Sequence, residues 1–383
     1  MDQIGAFMAA IIAPWSLKWL WAPLIDLIRV RRYGADRFWI CLTQILMAVT
    51  LAFLFILDPS EDLALLTIIM VIHNVCSSAQ DVAIDGFAVR VLPDSELSDA
   101  NGAMFAAQRF GMAIGGGGSL YIAGQFGFNA AFAFVLAGLL VILFGVSMRL
   151  PEAPDKVGPG ARADSFVIAL GRSLKTFFRE LRVGFFQSGR GPRVGVLFSL
   201  LPAGAMALGY GISSALQVDL GFSDSQISLA TTLTLFAGAI GSGCSGFWTR
   251  LLGMRRALAL IHVLTALPTL AMAFMIWTSG VSEVGFWPYI VVASAYQFFF
   301  GALFGIVGAV TMTLTNPAVG ATQYTGYNSL KNLSIGYSSW WQGLVVAAAG
   351  YPAALAIDAG VALLPIALIP FLIPSTSRGT RTA

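Results

Sequence analysis

The sequence predicts an all-α polytopic membrane protein built as two helical bundles, and three observations carry that expectation. Hydrophobic residues fill 57% of the 383 positions and charged residues 11%, a balance that soluble globular domains do not have. The apolar residues gather into eleven stretches, most at or above the ~20 residues a helix needs to cross a bilayer. The basic residues gather on one side of those stretches, as the orientation of membrane helices by positive charge requires.

The eleven expected spans are 5–25, 38–57, 63–91, 99–123, 127–149, 194–217, 225–249, 256–279, 285–314, 322–348 and 352–374. Turn chemistry marks several connectors, among them Asp58-Pro59-Ser60, Asn316-Pro317 and Gly350-Tyr351-Pro352. Five spans (1–149) are separated from six (194–374) by a polar segment, 150–193, and a tail follows at 375–383. Nineteen of the 22 Lys and Arg residues lie on one face: Arg29, Arg31, Arg32 and Arg37, then Arg90, nine in or beside 150–193, then Arg250, Arg255 and Arg256, and finally Arg378 and Arg381. The opposite connectors carry acids only, such as Asp58, Glu61, Asp219 and Glu283. The basic face, with the C-terminus, is expected in the cytoplasm. Asp164 to Phe186 reads as an amphipathic helix with Phe166, Leu170, Leu174, Phe177, Phe178 and Leu181 on its apolar stripe. It is either a basic surface helix on the inner leaflet or a plain tether between halves.

The halves are weakly related. Ala22 to Asp26, followed by Arg29, Arg31 and Arg32, matches Gly246 to Arg250, followed by Gly253, Arg255 and Arg256, at an offset of 224 residues. Arg109 matches Lys331 at 222, and Pro93 matches Pro317 at 224. Near-constant offsets point to parallel repeats, with the first half one helix short of six.

Ionisable residues inside spans are Lys18, Asp81, Asp85, Arg109, Lys331 and Asp358, with Gln80, Gln108, Asn74, Asn328 and Asn332 beside them. Asp81 and Asp85 are four apart and project from one helix face. Charge at membrane depth costs several kcal/mol (roughly 2.5–3.5 by insertion scales) unless it faces a partner or a wet cavity. Lys18 and Arg109 are candidate counter-charges. The functional reading makes Asp81 or Asp85 the proton carrier and the cations, with Gln80, Gln108 and Asn328, the hold on an anionic solute. The alternative is an ion-pair network that only fixes helix packing. Asp26, Arg31, Arg32, Arg250, Arg255 and Arg256 are the expected gate on the basic face. Gly115–Gly118 follows no strand and precedes no Gly-Lys-Ser/Thr, so a close-packing role is expected. Trp15, Trp19, Trp21, Trp340 and Trp341 suit either sugar stacking or the membrane interface. Cys41, Cys76 and Cys244, like His73 and His262, are isolated, which excludes a recognisable metal motif. No His-Glu-x-x-His or Gly-x-Ser-x-Gly set is present, so an enzyme is not expected.

Lys18-Trp-Leu-Trp-Ala-Pro-Leu-Ile-Asp26, then Arg31-Arg32, Thr43-Gln44, Ser78-Ala-Gln-Asp-Val-Ala-Ile-Asp85 and Gln108-Arg109-Phe-Gly111 resemble the AmpG-type muropeptide permeases, most specifically over 5–125. That branch of the major facilitator superfamily is related to acetyl-CoA transporters and some siderophore permeases. The resemblance implies the twelve-helix superfamily fold, with the first helix lacking a counterpart here, and a monomeric, multi-pass protein of the bacterial inner membrane. It implies proton-driven symport (import) of an anionic solute such as anhydro-muropeptides by alternating access, with no cofactor and no nucleic-acid partner. Lys18, Asp81, Asp85 and Arg109 fall on the family's charged intramembrane positions, whereas Leu27 departs from the usual Asp-Arg pair. Acyl-CoA or a siderophore is the substrate alternative. A non-transporting membrane sensor, or a decayed transporter, is the functional alternative.

Overall fold

The computed structural model describes residues 11, 13–28, 35–57, 63–151 and 166–373. Among them every regular element is helical. Among the described residues six helices are long and apolar enough to cross a membrane unaided, and a seventh span arises if Ser225–Gly243 and Ser245–Leu252, bent by 40°, are joined. Two contact units divide the chain, and neither is continuous in sequence. One holds Met1–Leu92, Ile114–Gln187 and Thr315–Ser329, and the other holds Pro93–Ala113, Ser188–Leu314 and Leu330–Ala383.

In the first unit, the helices Ala22–Leu27, Ala35–Phe53 and Leu63–Val91 bury Ala22, Ile25, Ile40, Val82 and Ala83 together with Ala321. Pro23 sits in the first turn of its helix, where its missing N–H costs nothing. The segment before it is interrupted, with a short 3-10 turn at Lys18–Leu20. Gln44 ties Ala35–Phe53 to the helix Phe128–Gly145 and the 3-10 turn after it by donating to the Leu139 carbonyl (3.3 Å) and accepting from Ser147 Oγ (2.6 Å). The amphipathic helix is present at Phe166–Arg182 and passes into a π-helical turn, Val183–Gln187. Of its expected stripe, Phe177 is buried while Phe178 is exposed. Phe185 packs edge-on against Tyr327 with ring centroids 5.3 Å apart.

In the second unit, Leu97–Gly111, Asp224–Gly243 and Phe286–Thr313 pack around small residues. A Cβ at Gly241 would collide with the Phe298 carbonyl, and one at Gly301 with that of Gly238. Gly301 and Gly305 lie one turn apart and open the surface for Gly238, Ser242 and Ser245, the geometry by which small residues four apart let membrane helices approach. Large side chains fill the space around them, among them Tyr289, Tyr296, Phe300 and Leu303.

Two expectations change and a third holds. The stretch 194–217 is not one helix: Arg190–Leu200 and Ser213–Asp219 flank a non-helical segment, 201–212. Pro202 lacks a donor and Gly204 takes φ +80°, so regular hydrogen bonding fails there although hydropathy continues. The stretch 99–123 is helical but contains a π-helical turn at Met112–Gly118. Of the four glycines expected to mark close packing, Gly115, Gly116 and Gly117 face open space, and Gly118 faces the Phe134 ring. They supply backbone freedom to the π turn instead. The expected break at 350–352 is present: the helical run Gly320–Val361 is two helices that meet at Gly350, where φ is 79°.

Candidate functional site

The intramembrane charges of the first unit are assembled as the i,i+4 spacing requires. Leu63–Val91 carries both Asp81 and Asp85. Lys18, presented by its 3-10 turn and 6% exposed, bonds Asp81 Oδ2 at 2.9 Å. Asp85, one turn further and buried, accepts from Asn328 Nδ2 at 3.4 Å and also acts electrostatically on Lys18. Gln80 is half-buried beside them. Trp15 donates to Asn74 Oδ1 at 3.0 Å, on the same helix and about two turns from Asp81.

Arg109 belongs to the second unit. Its guanidinium donates to Gln297 Oε1 at 3.4 Å and faces the phenols of Tyr210 and Tyr296. Gly238 makes the room: a Cβ there would stand 2.5 Å from an Arg109 nitrogen. Among the described residues no carboxylate lies within ion-pair distance of Arg109. Lys331 is 8% exposed in the same unit, and Gln108 is exposed. Within its own unit Lys18 pairs with Asp81, and within its own unit Arg109 has neutral partners.

The gate residues divide. Arg31 and Arg32 lie outside the described residues. Asp26 sits in a buried cluster of the first unit. It accepts from Arg90 (3.0 Å), from the backbone N–H groups of Ala321 (3.2 Å) and Thr322 (2.7 Å), and from Thr322 Oγ1 (2.7 Å). Arg90 also pairs with Asp36. Asp26 therefore caps the free N–H groups at the start of Gly320–Val361 from outside that helix, where the helix dipole favours an anion. In the second unit Arg250 pairs with Asp99, which lies against Gly246, but this pair is exposed. Arg255 donates to the Pro370 (2.8 Å) and Ile373 carbonyls. Arg256 is exposed. Sequence reasoning missed Arg90, Asp36, Asp99 and Thr322. The usable signal was an Arg ending one long apolar helix and an Asp opening another.

The model of the Major Facilitator Superfamily matches residues 2–207. The chain belongs to this superfamily. An uncharacterized protein of Haemophilus influenzae is 28% identical over 366 residues, covering 92% of this chain and 81% of that one. The Anhydromuropeptide permease of Escherichia coli K12 is 26% identical over 362 residues, covering 92% and 68%. Among solved structures, the proton:xylose symporter XylE matches with a TM-score of 0.72 at 12% identity, covering 97% of this chain and 86% of its own. The fucose:proton symporter FucP of E. coli matches at 0.68 and 15%, covering 97% and 91%. These two carry the fold. Membership of the superfamily makes the protein a membrane transporter.

Proposed function

We propose that the protein imports an anionic solute of the anhydro-muropeptide class across the inner membrane by proton-coupled alternating access, with its basic face and C-terminus in the cytoplasm. The observation that carries the anionic part is Arg109. A guanidinium largely removed from water, bonded to a neutral amide, near two phenols and without a described carboxylate partner, has unused capacity for a bidentate anion. The muropeptide class rests on the name of the E. coli relative.

Proton coupling rests on the Lys18–Asp81 pair with Asp85 one turn away. Asp81 is the more accessible partner, its side chain 36% exposed against 7% for Lys18. Protonating Asp81 cancels its hold on Lys18 and releases a buried cation, the change a coupled conformational step needs. The Asp26–Arg90–Asp36 cluster is the latch on the basic face in this reading.

The test is counterflow in proteoliposomes with labelled N-acetylglucosaminyl-anhydro-N-acetylmuramyl peptide. Exchange is expected in the unaltered protein and accumulation when an inward proton gradient is imposed. Arg109→Gln is expected to weaken the apparent affinity about tenfold or more, the worth of one charge-assisted bidentate contact. Asp81→Asn is expected to retain exchange and lose gradient-driven accumulation. Absence of exchange overturns the transport reading in favour of a sensor, and an unchanged affinity in Arg109→Gln removes the anion clamp.

A further inference from the structure

The break at 201–212 leaves backbone N–H groups without helical partners inside the apolar second unit, where each must be satisfied by protein. Those of Met206 and Ala207 both donate to one atom, Asp358 Oδ2, at 2.9 Å each. Asp358 is 1% exposed, and its other oxygen, Oδ1, accepts from Gln342 Nε2 at 2.7 Å. No Lys, Arg or His lies within ion-pair distance of it among the described residues. Every donor on this carboxylate is a neutral N–H.

The second observation is on Gln342. It is fully buried, and its Oε1 has no hydrogen-bond partner. An amide that uses its donor and strands its acceptor is half satisfied. The stranded oxygen points toward Gly211, at the end of the break, where a Cβ would collide with it. An amide rotated by 180° fits the same space with its two ends exchanged. Its Oε1 would then face Asp358 Oδ1, and that arrangement needs a proton on Oδ1.

We propose that Asp358 and Gln342 form a proton-binding site in the second unit, a two-state hydrogen-bond switch on the broken helix. In the ionised state Gln342 Nε2 donates to Oδ1, as the structure shows. One proton taken up from water at Oδ1 makes an O–H that donates to Gln342 Oε1 after the amide turns, and no other group changes charge. Oδ2 keeps both backbone donors in either state, but a neutral carboxyl accepts them more weakly than a carboxylate. Protonation therefore loosens the hold on Met206 and Ala207 without abolishing it. This site is additional to Asp81 and Asp85.

The titratable and charged groups on the surrounding elements have other partners. Tyr296, from Phe286–Thr313, donates to the Ala205 carbonyl at 2.7 Å and interacts electrostatically with Asp358, Tyr210 and Arg109. His262, from Met254–Ser279, is bonded through Nδ1 to the Leu258 carbonyl. On Gly320–Val361 itself, Tyr337 bonds the Leu200 carbonyl and Tyr351 bonds Asp219. Lys331 is three helical turns from Gln342, about 16 Å along the axis.

The test reads the proton directly and needs no transported solute, so it stands or falls separately from the muropeptide reading. Infrared difference spectra of the full chain in lipid are recorded between alkaline and acidic pH. The expected result is a carboxylic-acid C=O band at acidic pH that is lost in Asp358→Asn. In Gln342→Leu the carboxyl loses its partner, and the band is expected to move to higher wavenumber. A spectrum unchanged by Asp358→Asn overturns the proposal. Should that variant not fold, an unshifted acid spectrum in Gln342→Leu overturns it equally.

Discussion

Replacing Asp26 with Ala tests whether the buried cluster on the basic face holds the start of Gly320–Val361. The side chains of Asp26, Arg90 and Asp36 are 1%, 6% and 4% exposed. Removing Asp26 strands the N–H groups of Ala321 and Thr322 and frees Thr322 Oγ1, while Arg90 keeps Asp36. Because that second carboxylate still balances Arg90, the loss is less than the roughly 3–5 kcal/mol of a fully broken buried pair. A lost N-cap is worth about 0.5–2 kcal/mol, and each stranded buried donor about 1–3 kcal/mol. These overlap, giving about 2–4 kcal/mol. The internal control is Asp99→Ala, which removes the Asp99–Arg250 pair, whose side chains are 48% and 64% exposed. Exposed pairs contribute about 0–1 kcal/mol. Thermal unfolding of the purified protein in detergent should show a several-fold larger fall in midpoint for Asp26→Ala than for Asp99→Ala, with Asp26→Asn between them. Equal falls for Asp26→Ala and Asp99→Ala would refute the assignment of Asp26 as a cap.

Three further outcomes follow from the same geometry. Asp81→Asn leaves Lys18 buried without its direct partner, so the variant should be less stable than the double variant Lys18→Met/Asp81→Asn, with a coupling of about 0.5–3 kcal/mol in a double-mutant cycle; additive effects would show the pair is not coupled. Gly241→Ala pushes a methyl into the Phe298 backbone and should cost about 1–3 kcal/mol, whereas Gly116→Ala, in open space, should be neutral or stabilising by up to about 1 kcal/mol; melting midpoints that rank the other way would remove the packing argument. The exposed Arg250–Asp99 pair should weaken with ionic strength, so the small stability difference between Asp99→Ala and the unaltered protein should vanish in high salt while that of Asp26→Ala persists.

What the sequence makes legible is the helix, its face and its intruding charge. Asp81 and Asp85 share a face because they lie four apart on an unbroken helix, and Lys18 stands out because a cation inside an apolar stretch has no neutral explanation. The partner of each charge is another matter. Lys18 and Asp81 are separated by 63 residues, and hydropathy does not distinguish Lys18 from Arg109 as their counter-ion. Arg90 shows why: at the end of a helix it reads as a topology-setting charge, and only the fold reveals that Asp26 and Asp36 close on it. Glycine density misled for a related reason. Four consecutive glycines cover every face of a helix, and three of them face open space while Gly118 meets the Phe134 ring, whereas Gly301 and Gly305 are one turn apart and meet Gly238, Ser242 and Ser245. The break at 201–212 combines both lessons. Pro202, Gly204, Gly209 and Gly211 announce a weak helix, but an apolar stretch stays apolar when its backbone unwinds. Its cost appears in the N–H groups of Met206 and Ala207, and their acceptor lies about 150 residues away at Asp358, in a span whose lone acid has no local reason to be there. A carboxylate that completes someone else's backbone is invisible to periodicity, because its spacing belongs to the fold and not to its own helix.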